Sequence, residues 1–166
     1  MQHDLLEELE RFVQSGKVRM AGISGEEAVI NAVFESRPPV LQTAQFALNI
    51  FNMGLTTQTA KAAKSMFLVA NHPFGGPDGV SKCRERIAQM RTSTNVPASL
   101  REKLDPRDER LLPEIVLNSI LSETGISVVI PAMMQLKHIQ SNISAVEKCR
   151  FSPGELAMFR AAFQTP

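Results

Sequence analysis

One stretch decides the fold: residues 125–142, which read GISVVIPAMMQLKHIQSN. Ser127 to Ile130 is a short apolar run bounded by Gly125 and Pro131, a pattern that predicts a strand buried on both faces of a parallel sheet. A helix with one apolar face is expected next, because apolar residues recur at helical spacing at Leu136, Ile139, Ile143 and Val146. A tight turn between strand and helix aims the first N–H groups of the helix at the carboxyl end of the strand, which favours a bound anion such as phosphate.

Length, composition and charge are those of an ordinary globular protein. The 166 residues suffice for one domain, residues 1–166, with 43% hydrophobic and 21% charged residues. The net charge of +1 gives no field that would attract nucleic acid or a membrane surface, and no apolar run approaches the roughly 20 residues of a membrane span. Cys83 and Cys149 lack metal-ligand spacing and the chain opens without a signal-peptide pattern, so we predict free thiols, no metal site and a cytoplasmic location.

Strand and helix patterns alternate along the chain. The predicted strands are residues 17–24, 40–44, 66–70 and 127–130, and the predicted loops are 46–55, 71–77 and 92–99. Helices are predicted before the first strand, between the strands (57–65, 80–90 and 113–124 among them), and at 135–147 and from 152 onward. The sequence Ser152-Pro153-Gly154-Glu155 is predicted to cap the last of them. This order indicates an α/β fold with right-handed crossovers, and four such units form a parallel half barrel, (β/α)4.

Four stretches, in order, resemble the C-terminal half of the aldo-keto reductase barrel. GKVRMAGIS at 16–24 resembles the fifth barrel strand of that family, PPVLQTAQFALN at 38–49 the sixth, and MFLVANHPFGG at 66–76 the seventh. The stretch at 125–142 resembles the eighth strand and the helix that follows it. The resemblance covers nearly the whole chain and implies half of a TIM barrel from an oxidoreductase family whose cofactor is NADP.

The resemblance also implies which residues would hold the nicotinamide end of that cofactor. Ser24 and Gln42 match positions that bind the carboxamide, while Gly25 stands where the family has an Asn. Asn71 replaces an aromatic residue that stacks on the nicotinamide ring. Hydrogen bonds to the carboxamide are therefore expected in this chain, whereas stacking on the nicotinamide ring is not.

The phosphate and adenine contacts are implied in the same way. The family loop that contacts the pyrophosphate corresponds to His72, Phe74 and Gly75. Ala132 and Met133 stand where charged or hydroxyl side chains meet the 2′-phosphate, and His138 stands where an Arg does. Asn142 matches an Asn that binds adenine. Because the charged groups are reduced to one histidine, the resemblance implies weak NADP binding.

Four of these residues also have a simpler interpretation. Ser24 has the position and residue type of a helix N-cap, since Ser24 to Glu27 has capping-box spacing. Gln42 is compatible with a hydrogen-bonded core amide, His72 with an ordinary loop residue, and His138 with a solvated helix face. The charges between residues 82 and 110 alternate in sign, which is typical of a solvated surface.

Catalysis is where the resemblance stops. The family's Tyr, Lys, Asp and His come from its first four strands, and this sequence contains no Tyr. We therefore assign no catalytic residue and expect an inactive chain that keeps part of an NADP site; the alternative is a non-enzymatic scaffold or interaction module. A half barrel has an open apolar face and two unpaired edge strands, so we expect a homodimer or a separate N-terminal half as partner, unless the terminal helices cover the face.

Overall fold

Four parallel strands form a single sheet in the order in which they occur in the chain. They are β1 (Ala21–Ser24), β2 (Leu41–Ala47), β3 (Phe67–Asn71) and β4 (Ile126–Ile130), each paired in parallel with the next. The computed structural model describes residues 2–53, 61–62, 64–122 and 125–164, with side chains from residue 5 onward. Sequential parallel pairing confirms the predicted (β/α)4 half barrel.

The helices of the described ranges lie where the sequence predicts them, apart from one short addition. They are α1 (Gln2–Gln14), α2 (Glu27–Ser36), α3 (Gly79–Thr92), α4 (Ala98–Glu102), α5 (Leu111–Leu121), α6 (Leu136–Glu147) and α7 (Pro153–Gln164). The short α4 begins at the end of a predicted loop, and most of the helix predicted at 57–65 lies outside the described residues. No helix within the described ranges is long and apolar enough to cross a membrane.

The core lies between the sheet and the helices. On β2, Ala44 and Phe46 are buried, and their in-register partners Leu68 and Ala70 on β3 are fully buried as well. Phe34 of α2 meets Phe46 edge to face, with 6.1 Å between the ring centroids. Because side chains alternate across a strand, the residues between these positions form the opposite, concave face of the sheet.

The exposure of β4 differs from the prediction that this strand is buried on both faces. Only Ile126 is buried, whereas Ser127, Val128 and Ile130 are exposed. The reason is topological: β4 is the last strand in the sheet order, so it has a neighbour on one side only. The apolar run predicts a parallel strand correctly but not its position at the edge.

Two strand boundaries differ from the predictions by more than one residue. The first strand spans only Ala21–Ser24 of the predicted 17–24. The second continues to Ala47, two residues into the predicted loop, because Phe46 belongs to the buried face.

One predicted helix cap is confirmed and another is wrong. At the start of α7 the Ser152 N–H donates to the Glu155 carboxylate at 2.8 Å, and the Glu155 N–H donates to the Ser152 hydroxyl at 3.3 Å, which is a complete capping box. Ser24, in contrast, does not cap α2: it is the last residue of β1, and the N-cap is Glu26, without a side-chain cap hydrogen bond. The simpler interpretation of Ser24 as a helix cap is therefore wrong.

A buried carboxylate joins α5 to the segment before α7. Glu114 is completely buried, and its carboxylate accepts hydrogen bonds from the backbone N–H and the side chain of Arg150, the latter at 2.9 Å. The same guanidinium also pairs with Asp108, and Arg110 lies 3.9 Å from Glu114. Such a network is structural, because removing one partner leaves a buried charge uncompensated.

Acid is expected to weaken the fold through Asp108 and Glu155. Partial burial raises the pKa of Asp108, but hydrogen bonds from the Arg150 side chain and the Arg110 backbone outweigh it and hold the pKa below its ordinary value. For Glu155, burial is likewise outweighed by the hydrogen bond from Lys103 and by the Ser152 backbone, so its pKa is also lowered. Both carboxylates therefore stabilise the fold above their unfolded-state pKa values, and this stabilisation is lost as the pH falls through the folded values.

Urea unfolding at a series of pH values measures this effect. The free energy of unfolding should decline from about pH 4.5 downward. The double variant D108N/E155Q should start lower at pH 7 and decline less steeply than the parent chain. Parallel curves for the two proteins would contradict the assignment.

Candidate functional site

The carboxyl ends of parallel strands meet at one edge of the sheet, and the functional sites of (β/α) barrels lie at that edge. Ser24 ends β1 and is in register with Gln45 of β2, whose neighbour on β3 is Val69. Asn71 ends β3, two residues beyond Val69 and thus on the same concave face. The edge therefore presents a hydroxyl and two carboxamides from three adjacent strands.

Gln42, predicted to accompany Ser24, lies at the opposite end of β2. Ala21 pairs with Leu41 and Gly22 with Thr43, so Gln42 is an extra residue in a bulge, and its side chain is exposed. Three residues of strand, about 10 Å, separate it from Gln45. The structure thus brings Gln45, and not Gln42, beside Ser24.

Asn71 carries an unsatisfied acceptor at this edge. Its side-chain oxygen Oδ1 is buried and has no hydrogen-bond partner within the described structure, although its backbone carbonyl accepts the Leu48 N–H at 3.1 Å. An orphaned buried acceptor costs about 1–3 kcal/mol. A ligand that donates a hydrogen bond here would recover that cost, so the position fits an amide or hydroxyl group of a ligand.

The loop after β3 is held against the core. His72 has a left-handed backbone (φ 53°), and its carbonyl accepts the Gly75 N–H at 3.0 Å, which closes a tight turn. Pro73 is buried and Phe74 packs against the core cluster. Gly75 (φ 79°) lies against the Phe51 ring, so near that a β-carbon there would sit 3.0 Å from it. Of the three predicted loop contacts, His72 and Gly75 are exposed, whereas the Phe74 side chain faces the core.

A cavity with a basic lining lies beside the first turn of α6. We call it the α6 cavity; it measures about 160 Å³ and is lined by Arg84, Glu109, Lys137, His138 and Ser141. No ion pair joins any of its three basic side chains to a carboxylate of the described residues. The hydroxyl of Ser141 is buried without a partner there. His138, predicted from the sequence, therefore has two cationic neighbours.

The N-terminus of α6 lies beside this cavity, because Lys137 and His138 of its first turn are among the lining residues. Gln135 is the N-cap and makes no side-chain cap hydrogen bond. The His138 N–H donates to the Gln135 carbonyl at 2.9 Å, whereas the earlier N–H groups of the first turn have no intrahelical partner. The helix dipole favours an anion at this end.

Asn142 lies one turn further along α6 but lines a different cavity. That groove, of about 320 Å³, runs between α5, β4 and α6, and apart from Asn142 and Glu147 its lining is apolar: Leu117, Leu121, Val129, Pro131, Met133, Ile143 and Val146. The α6 cavity and the groove share no residue. A flat aromatic group such as a purine ring suits a groove with one amide among aliphatic side chains.

Sequence reasoning misses Gln45, Arg84 and Lys137. Gln45 lies three residues from the glutamine that the resemblance indicates, and the register of β1 with β2 places Gln45 beside Ser24. Arg84 comes from α3, in the segment of alternating charges, and no local pattern shows that this helix meets α6. Lys137 adjoins His138 in sequence and could have been found from the helix start.

Metal and cysteine chemistry are not suggested by the described residues. Within them, no group of three or more His, Cys, Asp or Glu side chains is arranged to hold a metal ion. Burial raises the pKa of Cys83 to about 12, so this thiol stays protonated. The polar groups at the carboxyl ends of the strands and in the α6 cavity are suited to hydrogen bonding and anion binding.

Four parallel strands with helices along one face, and polar groups at the carboxyl edge, define half of a (β/α)8 barrel. Two solved structures share this fold: the holo and apo forms of aldo-keto reductase AKR11C1 from Bacillus halodurans, with TM-scores of 0.63 each and identities of 17% and 16%. Each alignment covers 95% of this chain but only 54% or 55% of the other protein, so the chain spans about half of its length. The resemblance to aldo-keto reductases is thus confirmed for the fold. No protein-family model matches the sequence, and no curated protein matches it.

Proposed function

We propose that the chain is an aldo-keto reductase-like half barrel that binds NADP weakly along the carboxyl edge of its sheet. The α6 cavity is the observation that carries the proposal. Its three basic side chains and one orphaned hydroxyl, beside the free N–H groups at the start of α6, support an anion site where the resemblance expects a phosphate. The likeness in fold to solved aldo-keto reductases supports the class of protein.

The charge balance of the α6 cavity supports a phosphate over a neutral ligand. Among the residues that line the cavity, Arg84 and Lys137 face one carboxylate, that of Glu109, and His138 adds a third donor. All three basic side chains are exposed, so water weakens each contact and only a group with several acceptor oxygens engages them together. This fits weak binding with a preference for NADP over NAD.

The nicotinamide end would lie at the other side of the same edge. Ser24, Gln45 and Asn71 provide a hydroxyl and two carboxamides, which complement a carboxamide ligand in both donors and acceptors. NADP therefore fits the residues present, with its nicotinamide toward β1–β3, its phosphates toward the start of α6 and its adenine toward Asn142. In its reduced form, NADPH, the cofactor would supply a hydride; the chain itself would only bind and orient it.

Calorimetric titration with NADP and NAD tests the site. R84A and K137A should each weaken NADP about tenfold and NAD less, since a charge-assisted hydrogen bond contributes about 1.5–3 kcal/mol. K82A is the matched control, because Lys82 is an exposed cation on the same helix that does not line the cavity. No heat at millimolar nucleotide, or an equal effect of K82A, would reject the cofactor site.

A second comparison distinguishes the two glutamines. Q45A should weaken NADP but leave a 2′,5′-ADP fragment unaffected, because only the former carries nicotinamide. Q42A should change neither, given its place in the bulge at the far end of β2. The reverse result would restore the assignment predicted from the sequence.

We further propose that the chain alone does not reduce carbonyl compounds. In the family that it resembles, the proton donor is a phenol, and this sequence has no Tyr. Incubation with NADPH and a test aldehyde should give no turnover above the enzyme-free rate. Turnover that co-purifies with the chain and falls in R84A would contradict this.

A non-enzymatic interaction module is the second candidate. It is favoured by the exposed apolar face of α6, where Leu136 and Ile143 are 69% and 53% exposed. If no nucleotide binds, this face would be the principal functional feature.

In either case we propose a cytoplasmic protein, in keeping with the two free thiols of Cys83 and Cys149.

A further inference from the structure

Both ends of the sheet are unpaired. β1 and β4 each pair on one side only, and no strand of the described residues adjoins their outer sides. Parallel sheets are normally covered on both faces, and an open edge offers a row of backbone donors and acceptors to another strand. The two open edges run in the same direction, so whatever pairs with both must present parallel strands.

Apolar side chains are exposed beside β4, the last strand of the sheet. In a (β/α) barrel, the helix that follows a strand packs over that strand and the next one. The helix α6 follows β4, the last strand of the sheet, so it lacks the second of the two strands on which it would pack. Its apolar face is accordingly uncovered, with exposures of 69% for Leu136, 36% for Ile139, 53% for Ile143 and 41% for Val146. These four positions lie on one face of α6. Val128 and Ile130 of β4 are exposed as well, but on the concave face of the sheet, because they are in register with Val69 and Asn71 of β3.

Fewer apolar side chains are exposed beside β1, the first strand of the sheet. Val18 and Met20, immediately before β1, are 40% and 53% exposed, and Val29 at the start of α2 is 47% exposed. Large apolar residues exposed together beside an open strand mark an interaction surface. The two surfaces lie at opposite ends of the sheet order.

We propose that both edges dock a complementary body of four parallel strands with its own helices, which closes an eight-stranded barrel. The solved structures of the same fold are about twice as long as the part that this chain matches, which is the length such a body needs. One body that spans both edges would cover the α6 face and the β1 surface together. The inference rests on the fold and is independent of the nucleotide site.

A second copy of this chain fits the edges less well, because of α1. This helix directly precedes β1, and its Leu6, Leu9 and Val13 pack against the core. In a ring of two copies, the junction between β4 of one copy and β1 of the other would have to hold both α6 and α1, whereas a (β/α)8 barrel places one helix at each junction. The complementary body therefore differs in sequence from this chain: it has no helix before its first strand, and α1 covers the junction between its last strand and β1.

The first test uses the chain alone, by sedimentation, hydrophobic-dye binding and amide exchange. At micromolar concentration we expect a monomer that binds the dye, with fast exchange at Ser127–Ile130. I139K/I143E, on the exposed face of α6, should reduce dye binding about twofold without lowering the melting temperature. K82E, on an exposed part of α3, should change neither.

The second test joins the full chain, at its N-terminus, to the first four strands of the Bacillus halodurans reductase and the three helices between them, so that α1 supplies the helix at the junction with β1. Dye binding should fall and exchange at Ser127–Ile130 should slow at least about tenfold, and I139K/I143E should reverse both. A fusion whose β4 amides exchange as in the chain alone would overturn the proposal. So would a discrete dimer of the chain alone with protected β4 amides, which would make a second copy the occupant.

Discussion

Replacing Arg150 with alanine is expected to lower the free energy of unfolding by about 3 kcal/mol, the lower end of the range for breaking a buried ion pair. The destabilisation arises at Glu114, which is completely buried; its carboxylate lies 2.9 Å from Nε and 2.7 Å from Nη2 of the Arg150 side chain. The backbone N–H of residue 150 remains as a donor, and Arg110 remains 3.9 Å away. These contacts keep the cost at that lower end.

Urea unfolding of three variants measures this. R150A should be much less stable than the parent chain, whereas R150A/E114Q should regain part of the stability, because the glutamine carries no buried charge. E8A is the control: the pair of Glu8 and Arg11 at 2.9 Å is exposed, and such pairs contribute about 0–1 kcal/mol. If R150A and E8A cost the same, or if E114Q fails to help, the buried charge is not what Arg150 compensates.

The sequence predicts the architecture of this chain well because its strands are set by local patterns. Four apolar runs alternate with helical periodicity, and that order alone implies parallel pairing with crossovers. The capping box of Ser152 and Glu155 is equally local and appears as predicted. Such features depend on residues within a few positions of one another.

What the sequence does not predict depends on contacts between distant segments. The predicted burial of β4 is wrong because an apolar run looks the same in a central strand and in an edge strand. The resemblance indicates Gln42, whereas the structure brings Gln45 beside Ser24; the register of the strands and the bulge in β2, which shifts side chains by one position, have no sequence pattern of their own apart from Gly22. At Gly22 a β-carbon would lie 2.6 Å from the Thr43 carbonyl oxygen, a reason for glycine that appears only in three dimensions.

The charged groups of the candidate site show the same limit. His138 is predicted because it occupies a matching position in the resemblance, whereas the alternating charges around Arg84 indicate only a solvated surface. The α6 cavity brings α3, the segment before α5 and α6 together over more than fifty residues of chain. Alternating charge within one segment therefore says little about where an uncompensated cation will lie.

The second large effect is expected from Gly79→Ala at the start of α3. A β-carbon at this position would lie 1.5 Å from the carbonyl oxygen of Phe74 and 2.6 Å from its carbonyl carbon. Both are backbone atoms, so no side-chain rotation relieves the overlap, and the turn that contains residues 74–79 must open. We expect a cost of about 3 kcal/mol, the upper part of the range for overpacking.

Two other glycines provide the controls for Gly79→Ala. Gly76 has a left-handed backbone (φ 88°) and no heavy atom within 4 Å of a β-carbon, so G76A should cost only the conformational term of about 1 kcal/mol. Gly154, in the first turn of α7, meets only the Ser152 hydroxyl at 4.0 Å, and G154A should leave stability unchanged or slightly raised. Thermal and urea unfolding should rank the destabilisation as G79A, G76A and G154A, from largest to smallest.

The same variant connects the turn to the candidate site. Opening it would release Phe74 from the core and with it the backbone that positions Asn71 and His72 at the carboxyl edge of β3. NADP binding should therefore fall in G79A under conditions where the chain is still folded, while 2′,5′-ADP, which needs only the α6 cavity and the groove, should bind as before. A G79A chain as stable as G76A would show that the turn adapts without strain. Equal weakening of both ligands would show instead that the variant disturbs the whole sheet edge.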